Sequence, residues 1–357
     1  MELVAFVLGL FLLALTLWDI FETIVVPRPT PGWFRISRYL VRGSWRGLRV
    51  LRDGGGPERS YDRVLGLFAP AMTVALLAAW LLALILGYGL LMYALRDELQ
   101  PVPADLGTAI YFAATSVLTV GYGDIVAVGA PARVIILTGA VSGLGAVALV
   151  VTFLFSLYGS YQRREVQVVA LQAAAGAPPS AVALLETYAL LGLVPRLPDL
   201  FNDWERWGVE VLDSHVAYPL LGFFRSSHDN LSWISALGSV LDAASLVLTT
   251  IADVPRGEAK LFKRVGTHLV EDIFNLGFRA GEPTGLDRPA FDAACDRLVE
   301  AGYRLEPREV AWPAFAAARG TYVDRLEAMA TYWATPATSW LGDPVVLRSP
   351  VHPTDDP

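Results

Sequence analysis

The chain has 357 residues, 54% of them hydrophobic and only 18% charged, with a net charge of −7 and a mean hydropathy of +0.46. A soluble domain averages about 45–50% apolar and about 25% charged, and here the excess is concentrated: residues 3–18, 64–95 and 134–162 hold no charged side chain. Because about 20 apolar residues suffice to cross a bilayer, a purely soluble protein is excluded, as are a disordered chain and a fibrous one.

Charge is unevenly distributed. Residues 1–26 carry −3, the stretch 27–63 sets nine Arg against Asp53, Glu58 and Asp62, residues 64–164 balance to zero, and residues 165–357 carry −10. The acidic last segment argues against a nucleic-acid partner, which needs a basic footprint. Cys295 is the single cysteine, so neither an intramolecular disulfide nor a Cys-based zinc cluster can form. Met1-Glu2 runs directly into apolar sequence with no basic n-region, which reads as a retained span rather than a cleaved signal peptide.

The first span covers residues 1–26, its apolar part Leu3–Val26. Asp19 and Glu22 share one face near its end and are expected to reach interfacial water or to pair with Arg28 or Arg35, with a functional contact inside the membrane as the alternative, while Pro27, Pro29 and Pro31 break the helix. In the 27–63 segment Arg35, Arg38, Arg42, Arg46, Arg49 and Arg52 alternate with Trp33, Phe34, Ile36, Leu40, Trp45, Leu48 and Leu51. This pattern predicts an amphipathic helix lying on an anionic membrane face, with anionic lipids as its partners, ended by Gly54-Gly55-Gly56-Pro57. Arginines at such spacing also occur in voltage sensors, but this row follows only one other span and carries a cytoplasmic-loop signature, so voltage gating is not predicted.

A second span fits 64–95 and a third 132–162, closed by Arg163 and Arg164. Nine Arg in 27–63 against Arg96 and Arg133 in 96–133 orient the chain by the positive-inside rule. The N-terminus is then outside and the segment 163–342 cytoplasmic, in what the topology suggests is a bacterial inner membrane. That segment reads as helical, with three- and four-residue apolar recurrences in Val182–Leu191, Trp204–Val216, Leu231–Leu248, Leu261–Phe278 and Tyr322–Trp333, and prolines between them. Residues 343–357 read as a flexible tail.

Between the last two spans lies 105–124. Its apolar part is too short to cross a bilayer and must dip in and return, and it ends in Thr119-Val120-Gly121-Tyr122-Gly123-Asp124. Non-helical backbone at membrane depth survives only when buried in protein or lining a watery path. Two glycines two residues apart permit φ values that let successive carbonyls point one way.

TVGYGD, preceded by an apolar re-entrant helix and flanked by two spans, resembles the pore domain of tetrameric potassium channels, in which such carbonyls replace the hydration shell of K⁺. The resemblance covers 64–162. It implies K⁺ coordination by Thr119, Val120, Gly121 and Tyr122 within a filter closed by Gly123. It also implies a Tyr122 ring packed as a spacer against the pore helix, Asp124 at the mouth, and Tyr111 and Phe112 bracing the filter. Gly143 stands at the family's hinge position, with Gly139 and Gly145 as rivals. Thr115 replaces a carboxylic acid that some members carry behind the filter, and Leu118 replaces a common threonine. The resemblance further implies a homotetramer with K⁺ as the permeant ion, no cofactor and no enzymatic activity. Asp97, Glu98, Asp105 and Asp124 would concentrate cations outside.

Other features have plainer readings. Gly139, Gly143 and Gly145 serve equally as packing glycines. Val147, Val151 and Phe155 recur at four and would form a hydrophobic gate if they face the pore. His215, His228 and His268 read as surface or capping groups, and Trp204, Trp207, Trp233, Trp312 and Trp333 as helix packing. No Gly-rich phosphate loop or strand-rich nucleotide module follows residue 165, and the regulatory ligand is unknown. The expected architecture is an all-α membrane protein: a two-span channel domain with a re-entrant pore loop, preceded by one extra transmembrane helix and followed by a helical cytoplasmic domain that tunes gating.

Overall fold

The structure is a computed structural model that describes residues 2–26, 36–53, 58–228, 230–279, 286–335 and 340–343, with the backbone alone at 51–53 and 58–63. The expected proline break at 27–31, the Gly54–Pro57 stop, Arg28, Arg35 and all of the tail but Asp343 lie outside these residues. The chain divides into two compact units, Met1–Gly159 and Ser160–Pro357, the division falling within one helix.

The first unit is helical, and three stretches are long and apolar enough to cross a membrane: Glu2–Val25, Val64–Ala94 and Ala130–Ala175. The first comprises α1 (Glu2–Ile20) and a π-helical turn at Phe21–Val25. Helix α2 (Ile36–Asp53) is the arginine-rich segment, and α3 (Glu58–Ala94) starts before the apolar run it contains. Helix α4 (Leu106–Val117) is the re-entrant segment. Helix α5 (Ala130–Ala175) runs well past residue 162, where apolar patterning alone would end it. Small residues let the helices approach: a Cβ on Gly9 would stand 2.8 Å from the Gly87 carbonyl oxygen, and one on Gly89 would stand 2.7 Å from the Ile110 side chain.

The carboxylate of Asp19 does not reach water. It is 1% exposed and accepts the Ser37 hydroxyl at 2.9 Å, the Ser37 amide at 3.1 Å and the Trp80 indole N–H at 2.7 Å. Three donors compensate a buried acceptor that water would otherwise have to solvate. Glu22 is likewise buried.

A short antiparallel pair, β1 (Leu99–Gln100) with β2 (Val126–Ala127), closes the loops around α4. The sequence gives no sign of it, since each strand is two residues long. Glu98 beside it accepts the amide of Ala132 at 2.9 Å, capping α5 from a distant segment. Arg96 pairs with Glu2 at 3.1 Å, bringing the start of α1 to the end of α3.

The second unit is built around α8 (Trp233–Thr249), which is buried from Trp233 through Val247 and opens with a Ser232/Ser235 capping box. A helix apolar all round belongs inside a core. It packs against α6 (Ala181–Leu190), α7 (Leu197–Ala217), α9 (Gly257–Phe274), α11 (Arg308–Gly320) and α12 (Val323–Trp333). Helix α10 (Arg288–Glu300) joins α6 and α11. Pro198 begins α7 rather than breaking it, because a first-turn proline sacrifices no helical hydrogen bond. The tryptophans pack as expected: Trp204 on Trp207 at 4.5 Å and Trp233 on Trp333 at 5.7 Å.

Two residues of this unit depart from their sequence readings. Arg164, expected at the membrane surface, is 2% exposed and donates to the carbonyls of Leu221 (3.0 Å) and Phe224 (2.7 Å). His215, expected as a surface or capping group, is 2% exposed, with Nδ1 at 2.9 Å from the Val211 carbonyl and Nε2 at 3.1 Å from Arg164 Nη1. Burial, reinforced by the adjacent guanidinium, pushes its imidazole down to about 3. His268 stays exposed, 3.5 Å from Asp272. Cys295 is buried, and burial pushes its thiol up to about 11, away from any reactive thiolate.

Candidate functional site

The site is the turn from α4 back toward β2. Asp105 caps α4 by accepting the Thr108 amide at 2.8 Å and its hydroxyl at 2.9 Å. Ala109, Phe112, Ala113, Thr115 and Val117 form the buried face of α4 and hold it within the core of the first unit. The chain then unwinds under tight control. The Thr119 amide donates to Ser116 at 3.0 Å, and the amides of Val120 and Gly121 both donate to the Thr115 carbonyl, at 2.7 and 3.0 Å.

From there φ alternates. It is +56° at Thr119, +58° at Gly121 and +79° at Gly123, and not positive at Val120 or Tyr122. Alternating handedness turns successive carbonyls to the same side of the strip. Glycine adopts the left-handed half freely, whereas Thr119 does so at a cost of roughly 1–2 kcal/mol. At the far end of the strip the Tyr111 hydroxyl donates to Asp124 Oδ2 at 2.9 Å, tying the return of the strip to the flank of α4.

Every residue from Leu118 to Asp124 is exposed in the single chain, Val120 at 49% and Tyr122 at 72%. The Tyr122 ring, 72% exposed, is not packed within its own chain. Phe112 is buried in the core cluster while Tyr111 makes the bond to Asp124, so the two aromatics act separately. The Thr115 hydroxyl turns back to the Phe112 carbonyl at 2.9 Å, and it is the carbonyl of Thr115, not its side chain, that meets the strip.

The glycines of α5 sort by environment. A Cβ on Gly143 would stand 2.0 Å from the Val117 carbonyl oxygen at the end of α4, one on Gly139 would stand 3.3 Å from the Tyr88 ring, and one on Gly145 would meet nothing within 4 Å. Gly143 is thus a close-packing position in an unbroken helix. Val147, Val151 and Phe155 are exposed at 39%, 48% and 77%. Of the acidic residues near the strip, Glu98, Asp105 and Asp124 each accept a hydrogen bond. Among the described residues no group of three or more His, Cys, Asp or Glu side chains could hold a metal ion.

Sequence reasoning missed the Tyr88 hydroxyl, 2.9 Å from Ser142 Oγ, which links α3 to α5 behind the site. Fifty-four positions separate the two residues, and no local pattern marks the pair.

A short apolar helix and a strip of alternating backbone handedness are thus held between two longer apolar helices. Residues 67–159 match the family model described as an ion channel, a stretch that contains most of α3, all of α4 and the strip, and the first part of α5. No curated protein and no solved structure matches the chain.

Proposed function

We propose that the chain is one subunit of a homotetrameric, K⁺-selective channel that conducts passively and catalyses no reaction. The observation that carries this reading is the strip itself: positive φ at 119, 121 and 123, exposed on one chain, within a stretch matching an ion channel. One strip cannot surround an ion. Four copies about a cyclic axis would enclose a column of carbonyls from Thr119, Val120, Gly121 and Tyr122, with the exposed Tyr122 ring covered by a neighbouring subunit. The outward row Val134, Leu137, Val141 and Leu144 on α5, exposed at 62–71%, supplies apolar surface for a neighbour or for lipid. Gly123 closes the filter, and Val147, Val151 and Phe155 are the candidate gate. The orientation read from arginine counts places the Tyr111–Asp124 end outside and α2 on the anionic cytoplasmic leaflet of the cell membrane. The acidic second unit tunes opening from the cytoplasm.

Purified protein in liposomes tests this by flux, with K⁺ and then Na⁺ as the permeant ion. The expected result is K⁺ flux without Na⁺ flux from tetramers verified by native mass spectrometry. Equal fluxes would overturn the selectivity assignment, and a monomer that conducts would overturn the assembly.

A further inference from the structure

We propose that the second unit carries a groove for a short extended peptide, that residues 340–343 of the same chain occupy it as a detachable latch, and that this latch restrains the end of α5. The groove stands on its own geometry; its effect on conduction rests on the channel reading above.

Residues 340–343, Trp-Leu-Gly-Asp, belong to no helix or strand, so their carbonyls need partners from elsewhere. Arg297 of α10 donates through Nη1 to the carbonyls of Leu341 at 2.7 Å and Gly342 at 3.0 Å, and through Nη2 to that of Asp343 at 3.3 Å. The Ser180 hydroxyl donates to the Trp340 carbonyl at 2.8 Å. Two side chains thus hold four successive carbonyls. The Trp340 ring lies 5.3 Å from that of Phe315 and 5.6 Å from the Arg319 guanidinium, both on α11, and its indole N–H donates to the Ala290 carbonyl at 3.1 Å. At Gly342 φ is +61°, and a Cβ would stand 2.7 Å from that of Ser180, so the groove demands glycine at this step. An aromatic anchor, main-chain hydrogen bonds and a glycine step are the elements by which an extended segment is recognised.

Three observations make the segment a removable occupant. Each arginine has a carboxylate of its own on the body of the unit: Arg297 Nε donates to Glu186 Oε1 at 2.6 Å, and Arg319 Nε to Asp242 Oδ1 at 3.1 Å. Departure of the segment therefore strands no buried charge. The same neutralisation suits the groove to neutral carbonyls rather than to an anion. Trp204, Trp207, Trp233 and Trp333 are buried, whereas Trp340 is half-buried. Finally, a cavity of about 530 Å³ lies between Leu341, Gly342 and Asp343 on one side and the last turn of α5 with Thr187 of α6 on the other. Atoms facing such a space forgo the dispersion contacts that would fix them in a core.

The latch meets α5 through Ser180. The Ser180 amide donates to the carbonyl of Ala175, the last residue of α5, at 2.9 Å, and its hydroxyl oxygen caps α6 by accepting the Ala183 amide at 3.3 Å. Helix α5 is continuous from the stretch that matches an ion channel into this unit. Seating the segment clamps the turn where α5 ends, and its release frees that turn.

The test uses the full-length protein. Trp340→Ala and Gly342→Ala alter the segment and leave the groove intact. Both variants should bind a capped, fluorescein-labelled peptide of residues 338–345 saturably below about 1 mM, and wild type about tenfold more weakly, because its tethered segment competes at an effective concentration of that order. The same peptide carrying Trp340→Ala should bind about tenfold more weakly. Arg297→Lys keeps a charge opposite Glu186 but loses the planar fork, and combined with Gly342→Ala it should weaken peptide binding. In liposomes, K⁺ flux should rise about fivefold or more in Trp340→Ala and Gly342→Ala, with the preference over Na⁺ unchanged, and fall again when peptide is added. Absence of peptide binding by both variants, or binding indifferent to Arg297→Lys, overturns the groove. Wild type binding the peptide as tightly as the variants overturns its occupation by residues 340–343. Peptide binding with flux equal to wild type overturns the restraint on α5. Absence of K⁺ flux from every protein overturns the channel reading and the restraint with it, while peptide binding still decides the groove.

Discussion

At Gly121 no atom stands within 4 Å of where a Cβ would lie, yet φ is +58°. Gly121→Ala therefore acts through backbone strain alone, roughly 1–2 kcal/mol. It should assemble normally and lose K⁺ selectivity or flux, as liposome flux and native mass spectrometry would show. Gly143 and Gly145 form a contrasting pair. In a helix interior alanine is favoured over glycine by about 1 kcal/mol, so a glycine kept only for flexibility should gain stability on substitution. Gly145→Ala should behave so. Gly143→Ala should lower the unfolding temperature, because its methyl would meet the Val117 carbonyl, and overpacking costs about 1–3 kcal/mol. A stabilised Gly143→Ala would show that this position serves as a hinge and not as a seat for α4. His215 gives a pH prediction. Its imidazole titrates at about 3 when folded and near 6.5 when unfolded, so between these values the unfolded chain binds the extra proton. The His215 contribution to stability is complete above pH 6.5 and is lost progressively as the pH falls below it, until about pH 3. Denaturant melts of the full chain should show this loss reduced in His215→Gln; an unchanged loss would reassign it to other groups.

At the scale of elements, periodicity revealed what was amphipathic or strongly apolar. Helices α6, α7, α8, α9 and α12 follow from their apolar recurrences, and α4 from an apolar run too short to span. Helices α10 and α11 were not legible. Their buried positions are few and partly small (Phe291, Ala294, Cys295 and Leu298 in one, Ala311 and Phe315 in the other), and Pro313 sits inside α11. The β1–β2 pair was invisible because two-residue strands carry no alternation. Helix α5 continues past its apolar stretch because residues 160–175, polar by composition, find partners in the second unit: Trp207 donates to the Arg164 carbonyl, and Thr187 to that of Ala174. Tertiary contacts set the end of this helix where local hydropathy would have stopped it.

For the whole molecule, the boundary between units falls after Gly159, shortly before the expected start of the C-terminal segment at residue 163. Truncation after Gly159 should therefore leave a pore that still prefers K⁺ over Na⁺, with altered open probability. Truncation after Arg164 should express less well, because Arg164 loses the Leu221 and Phe224 carbonyls and is left as an uncompensated charge on apolar surface. Loss of the tetramer in the first truncation would recast residues 160–357 as an assembly element. What the sequence by itself determined is local in origin: three membrane-length apolar helices, the arginine helix, the short apolar segment and the strip that follows it, all read from hydropathy, periodicity and six consecutive residues. What only the tertiary structure decided are pairings across tens of residues: Asp19 with Trp80, Tyr88 with Ser142, Val117 with Gly143, and Arg164 with His215. The reason is physical. Span and helix signals are written in neighbouring residues, whereas a buried polar group needs a partner that the chain delivers only by folding, and no composition or spacing names that partner in advance.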